Sequence, residues 1–404
     1  MKKSFKLISV FMCLVMAFGL SLNCFAVDIT TAEPVRFDES GNLRVMHVTD
    51  THLDADNVDA SVWLIGAACD REQPDIAVIT GDNVENTGDK EYTKDLIDKL
   101  MGVFEERDIP VAVTFGNHDS ENENGFTREE LMAYYNTFSC SVSVDDGELL
   151  SGCGTYNVPV LASDSNKVKF NIWVFDSGDY DAEGHYDCVH ADQVAWYKAK
   201  SDVLALANGG ERVNSLVFQH IIVGEIYDAL EKADGNQLFS FEHLYNDGEY
   251  YMFDESAVNF GTLNETPCPG YYNYGQFDAM AEKGDVLAMF TGHDHTNAFG
   301  VKYNGIDIVN SLSTRYNGDT FSTQYGYRVI DIKESDTSVY TTRVVHWYDM
   351  FTINDVFALV TDGDSFGSNI VFKIAFRGFL QKLGKDISRV FTELVTGRQV
   401  TYAD

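Results

Sequence analysis

Two things are in short supply in this 404-residue chain: cysteine and positive charge. Seven cysteines are present, and Cys13 and Cys24 fall in the first residues, which leaves Cys69, Cys140, Cys153, Cys188 and Cys268. An odd number excludes a complete disulfide framework. With no C-x-x-C spacing anywhere, thiolates are not expected as metal ligands. Cys140 and Cys153, the closest pair, either close a loop in an oxidising compartment or stay as buried free thiols. Lys and Arg together number 29 against 63 Asp and Glu, a formal charge of −34. That balance excludes a nucleic-acid backbone as a tight partner. An anionic phosphorylated ligand then needs local positive charge, which bound cations supply. Long apolar runs are also missing, with one exception. Leu7 to Leu22 follows Lys2, Lys3 and Lys6 and precedes Cys24-Phe25-Ala26, the pattern of a secretory signal peptide over 1–26. The run is short for a membrane span and ends at the polar Asn23. A secreted or cell-surface protein is expected, and removing the three lysines takes the charge to about −37.

No internal repeat or low-complexity tract interrupts the rest. Short runs rich in β-branched residues predict strands at Leu43 to Val48, Ile76 to Thr80, Val111 to Phe115, Phe170 to Phe175, Ser215 to Phe218 and Val286 to Thr291. Helical spacing falls between them, at Val58 to Cys69, Tyr92 to Phe104, Glu129 to Phe138 and Gln193 to Leu206. The alternation predicts βαβ units. Later runs at Phe299 to Tyr303, Ile306 to Asn310, Tyr327 to Ile332 and Ser338 to Val344 read as antiparallel strands, so the class is α/β with mixed sheets. Phe239 to Gln276 reads as a long surface excursion, either a wall of the site or a decoration remote from it. The domain is expected over 38–346 and a tail over 350–404. In that tail Phe372, Phe376, Phe379, Leu380, Leu383, Ile387, Val390, Phe391 and Leu394 follow helical spacing. Six basic and two acidic residues lie between Val371 and Arg398. A basic amphipathic helix on an acidic protein suits either a membrane surface or the protein's own acidic body.

Five clusters carry the chemistry: Asp50-Thr51-His52, Gly81-Asp82-Asn83, Gly116-Asn117-His118-Asp119, Gln219-His220 and Gly292-His293-Asp294-His295. Each follows a predicted strand, and strand carboxyl ends are where open α/β sheets place their sites. Asp, Asn and His without thiolate suit zinc, manganese or iron. Two such ions about 3.5–4 Å apart can share a carboxylate and a hydroxide, which then attacks phosphorus in line. Arg315, after a strand near the last cluster, is a candidate phosphate contact. His47, His185, His190, His243 and His346 have no ligand-bearing neighbours and are expected to be structural. No protein partner is predicted.

The five blocks, complete and in order, resemble the calcineurin-like metallophosphoesterases, whose pattern runs D-x-H, G-D-N, G-N-H-[DE], H and G-H-x-H. The likeness covers about Leu43 to Val344. Its motif style is similar to the purple-acid-phosphatase-like branch of the Dcr2 type, although Glu85 stands where purple acid phosphatases proper carry a tyrosine, so no ferric tyrosinate is implied. The residue after His220 is Ile221, where that branch tends to carry proline. The resemblance implies a four-layer αββα sandwich with the amphipathic helix appended. It implies that Asp50, His52 and His295 hold one transition-metal ion and Asn117, His220 and His293 a second, with Asp82 between them. It also implies that His118 faces the substrate and either protonates the leaving oxygen or stabilises charge on the phosphorus oxygens, with Asp119 orienting or polarising its ring. The expected activity is hydrolysis of small phosphate esters, monoesters slightly ahead of diesters.

Overall fold

The structure, a computed structural model, describes residues 33–145, 150–237, 240–253, 258–316 and 325–396. The expected leader at 1–26 lies outside them. In chain order the elements of the first half are β1 (Asn42–Val48), α1 (Val58–Glu72), β2 (Ile76–Thr80), α2 (Lys90–Glu105), β3 (Val111–Thr114), α3 (Arg128–Tyr135), β4 (Tyr156–Leu161), β5 (Val168–Val174), α4 (Ala191–Ala207) and β6 (Ser215–Phe218). There follow a 3-10 turn at Gly224–Ala229, β7 (Glu231–Ala233), β8 (Phe241–Glu242), β9 (Tyr250–Met252), β10 (Val258–Thr262), α5 (Gln276–Lys283), β11 (Val286–Thr291), β12 (Ala298–Tyr303), β13 (Ile306–Asn310), β14 (Gly326–Lys333) and β15 (Asp336–His346). Three helices close the described chain: α6 (Trp347–Met350), α7 (Ile353–Asp362) and α8 (Ser365–Thr396).

Two large mixed sheets result. One runs β15-β14-β1-β2-β3, with β1, β2 and β3 parallel and β14 and β15 antiparallel at its edge. The other runs β10-β12-β13-β11-β6-β5-β4, with β13, β11, β6 and β5 parallel. Side chains on a strand alternate between faces, and that period assigns the layers. On β2, Ile76 and Val78 pack between the sheets with Leu216 and Phe218 of β6 and Ala288 and Phe290 of β11. Their neighbours Ala77 and Ile79 face outward onto α1 and α2 through Leu64, Ile65, Leu96 and Leu100. Val217 and Met289 face the opposite way, onto Tyr197 of α4 and Phe277 and Met280 of α5. Helices therefore cover both outer faces of two stacked sheets, the expected four-layer αββα order.

Some sequence expectations differ from what is observed. The stretch Phe239 to Gln276 is not a plain loop: β8 and β9 join β7 in a small three-stranded sheet, and β10 pairs with β12 at the edge of the seven-stranded sheet. Strand β4 and helix α5 are additional. Cys140 and Cys153 are both buried free thiols, as are the other cysteines of the described residues or nearly so, so no disulfide joins that pair. No helix among the described residues is long and apolar enough to cross a membrane.

Candidate metal centre

Parallel strands send their carboxyl ends to one edge. β1 delivers Asp50 and His52, β2 delivers Asp82, β3 delivers Asn117 and His118, β6 delivers His220, and β11 delivers His293 and His295. The first sheet supplies one half of the cluster and the second sheet the other. Ligand atoms of Asp50, His52, Asp82 and His295 lie within 4.8 Å of one another, and so do those of Asp82, His220 and His293. Asp82 belongs to both groups. Four of these residues, Asp50 (φ 52°), His52 (φ 39°), Asp82 (φ 50°) and His293 (φ 70°), hold left-handed backbone. That conformation costs a non-glycine residue on the order of 1–3 kcal/mol and collects at functional sites. Glycine is required beside them. A Cβ on Gly116 would overlap the Asp82 carboxylate, and one on Gly292 would overlap Thr49 and Asp50.

Several of the ligand atoms face one another across the space between the two sheets. His220 gives its Nδ1 hydrogen to the Thr80 carbonyl at 2.8 Å, which turns Nε2 toward Asn117 Oδ1 (3.2 Å) and Asp82 Oδ2 (3.3 Å). His52 Nε2 and His295 Nε2 lie 3.0 Å apart, and His295 Nε2 lies 3.3 Å from Asp50 Oδ1. Asp82 Oδ2 and His293 Nε2 are buried with no hydrogen-bond partner. Buried polar atoms without partners are rare in folded proteins and need an explanation such as an ion. A cation pair between these lone pairs supplies it, so the residues present fit the expected metals.

Electrostatics agree with that arrangement. Burial lowers His52 to about 4 and His293 to about 3, so both imidazoles are neutral and able to ligate near pH 7. Burial would lower His220 too, but the Asp82 and Asp50 carboxylates outweigh it and hold the ring at about 9, so a cation binding there would have to displace its Nε2 proton. Burial pushes the Asp50 and Asp82 carboxyls up, and His220 together with the neighbouring imidazoles brings both well below the usual carboxylate range.

Around the cluster, the expected pairing of Asp119 with the His118 ring is absent. Asp119 instead accepts the backbone N–H groups of Asp82 (2.7 Å), Gly116 (2.7 Å) and Asn83 (3.0 Å). It ties the turn after β2 to the turn after β3, because a buried carboxylate satisfies three amides that those tight turns leave unpaired. His118 is half exposed, and its Nδ1 meets Glu121 Oε2 at 2.7 Å. Its backbone N–H donates to Asp82 Oδ1. Arg315 reaches Asp54 at 3.1 Å. It lines a cleft of about 330 Å³ together with His52, His118, Glu85 and Glu121, and among the described residues is the only arginine or lysine lining it.

Several neighbours escaped the sequence reading. Asn117 Nδ2 donates to the Tyr180 hydroxyl at 2.9 Å, which turns Oδ1 toward His220. Tyr186 packs edge-on against His293, with ring centroids 4.4 Å apart. Cys268 lies with His293 and Asp294 in a third close group, so one thiol does approach the cluster, although burial keeps it protonated. The loop carrying His293 and His295 is held by Glu265, Cys268 and Asn297, which places the Asn264–Cys268 part of the excursion beside the site. Only Glu121, three residues after His118, left a local signal. The remaining histidines are structural: His47 bonds Ser311 and Thr80, His190 and His185 bond Asp187 and Asp181, and His243 and His346 stack on Tyr227 and Tyr348.

Comparison with known proteins finds related sequences. The chain is 27% identical to probable inactive purple acid phosphatase 14 of Arabidopsis thaliana, over 61% of this chain and 60% of that protein, so it spans less than two thirds of that relative. It is 26% identical to probable inactive purple acid phosphatase 29 of the same plant, over 75% of this chain and 79% of that one. Among solved structures, a dimetal phosphatase from Danio rerio aligns with a TM-score of 0.45 at 13% identity, covering 77% of this chain and 99% of that chain. Residues 43–297, more than half of the sequence and all five ligand-bearing clusters, match the family profile described as calcineurin-like phosphoesterase. The chain belongs to the calcineurin-like phosphoesterase family.

Proposed function

We propose that this protein is a secreted or cell-surface hydrolase of small phosphate esters, with monoesters slightly favoured, whose site holds two transition-metal ions of the iron, manganese or zinc kind. The observation that carries the reading is the set of unpartnered acceptors: Asp82 Oδ2 and His293 Nε2 are buried without donors, and the Nε2 atoms of His52 and His295 face each other. Asp50, His52 and His295 would hold one ion, Asn117, His220 and His293 the other, with Asp82 shared. When bound, such a pair lowers the pKa of water and neutralises phosphoryl oxygens. The chain supplies the rest. His118, with Nδ1 engaged by Glu121, keeps Nε2 for the leaving oxygen in the cleft. Arg315 brings the cleft's guanidinium to the phosphoryl group, and Asp54 fixes its orientation. The leader pattern at 1–26 supports export.

The two plant relatives are named as probable inactive, which makes a binding or scaffold protein that keeps the fold without catalysis the competing reading. Against it stands the complete donor set. The test is elemental analysis of the purified protein combined with turnover of nitrophenyl phosphate and bis-nitrophenyl phosphate. About two metal equivalents with faster monoester turnover are expected. No bound transition metal, together with an Asp82→Ala variant of unchanged thermal stability, would replace this proposal with the non-catalytic one. Faster diester turnover would make it a phosphodiesterase.

A further inference from the structure

Helix α8 is apolar on two opposite faces, and among the described residues only one of them is covered. Ile370, Val371 and Ile374 are buried, and Ile370 and Ile374 join the core that covers the five-stranded sheet with Trp347 and Leu64. On the same side Gly378 sits so close to the Tyr348 carbonyl that a Cβ would come within 2.7 Å of it. At 100° per residue, Phe372, Phe376, Phe379, Leu380 and Leu383 fall on the opposite side as one stripe. They are 43–61% exposed. Helix α7 packs against α8 and adds Phe357 and Val360, at 66% and 60% exposed. Monomeric proteins rarely leave so many large apolar side chains in one patch without a partner.

Charge decides among partners. Lys373 and Lys382 are exposed and fall on either flank of the stripe. Between Val371 and Arg398 the sequence has six basic and two acidic residues, in a chain whose formal charge is −34. A second copy seated symmetrically would set this basic stripe against itself and bring two acidic bodies together. A surface that is both apolar and anionic meets both features. We propose that the outer face of α8, with the exposed end of α7, lies in the interface of an anionic lipid bilayer, its phenylalanines at the boundary of head groups and acyl chains. Lys373 and Lys382 then reach lipid phosphates. The helix lies along the surface, since no described helix is apolar enough to cross. The rest of the molecule is acidic and is held away from the same lipids, so contact is confined to this one face.

Flotation of the full chain with vesicles tests this, independently of any phosphoesterase assay. Binding is expected to vesicles of mixed phosphatidylglycerol and phosphatidylcholine, to weaken in 0.5 M salt and to be lacking with phosphatidylcholine alone. The Phe376→Glu/Phe379→Glu variant should lose it. The Lys373→Glu/Lys382→Glu variant should bind at least about tenfold more weakly. Both variants should keep the parent melting temperature, because these side chains do not pack on the body. Three results would overturn the inference: no flotation with anionic vesicles, equal flotation of parent and phenylalanine variant, or a lipid-free dimer in sedimentation that the phenylalanine variant abolishes, which gives the face to a second copy.

Discussion

At the scale of single residues, the assignment of His118 makes a demand on leaving groups. General acid catalysis is worth about 10²–10⁴-fold, so His118→Ala should lower kcat/KM by that order for alkyl phosphates while metal content is unchanged. Nitrophenyl phosphate, whose leaving group needs little protonation, should lose much less. Equal losses for both substrates would leave His118 without a role as proton donor. The candidate ligands were legible because Asp, Asn and His recur in short clusters directly after predicted strands, and each cluster is contiguous in sequence. What could not be read was who orients them. Asp119 sits next to His118 in the chain yet bonds to amides of the neighbouring turn, and Tyr180 reaches Asn117 across 63 residues. Contacts of that kind depend on how strands are stacked, and no local pattern encodes it. The left-handed backbone at Asp50, His52, Asp82 and His293 is equally silent, since no glycine marks those positions.

At the scale of elements, the junction of α4 with β11 carries a pH-dependent contribution to stability. Asp285 precedes β11 and is buried, and it accepts the hydroxyls of Tyr197 and Ser201 on α4. Burial raises its carboxyl above the ordinary value of 3.8, and these hydrogen bonds offset that only in part. An acid whose folded pKa is raised contributes most below its unfolded value, and the contribution is lost as pH rises through the folded pKa. Stability of the parent should therefore fall relative to Asp285→Asn as pH climbs from about 3.8, measured by denaturant midpoints across a pH series. Parallel midpoint curves would contradict this. Elements buried along their whole length, such as Ile76–Thr80 and Ser215–Phe218, were legible from the sequence as short runs rich in β-branched and apolar residues. Those missed share a weakness of signal. β4 is an edge strand with Pro159 in it, which reads as a break. β7, β8 and β9 have two or three residues each, and α5 has eight. Their structure comes from pairing and from burial of Phe277 and Met280, not from local preference.

At the scale of the whole molecule, the two sheets meet twice: through the apolar layer between them and through the donor cluster at one edge. Cations bound there would join Asp50, His52, Asp82 and Asn117 of the first sheet to His220, His293 and His295 of the second. A ligand held only by the folded state at a hundredfold excess over its Kd stabilises it by about 2.7 kcal/mol. Chelation should thus lower the melting temperature by on the order of 5 °C, and Asp82→Ala should remove the response to added metal. An unaltered melting curve under chelator would argue against cross-linking by metal. The division of donors also sets an order of assembly. A growing chain that has reached residue 120 owns the carboxylates and the amide but has nothing to set opposite them, and the last two imidazoles arrive some 170 residues later. If the proposed ions bind, their selection would fall to whichever surroundings the finished polypeptide meets.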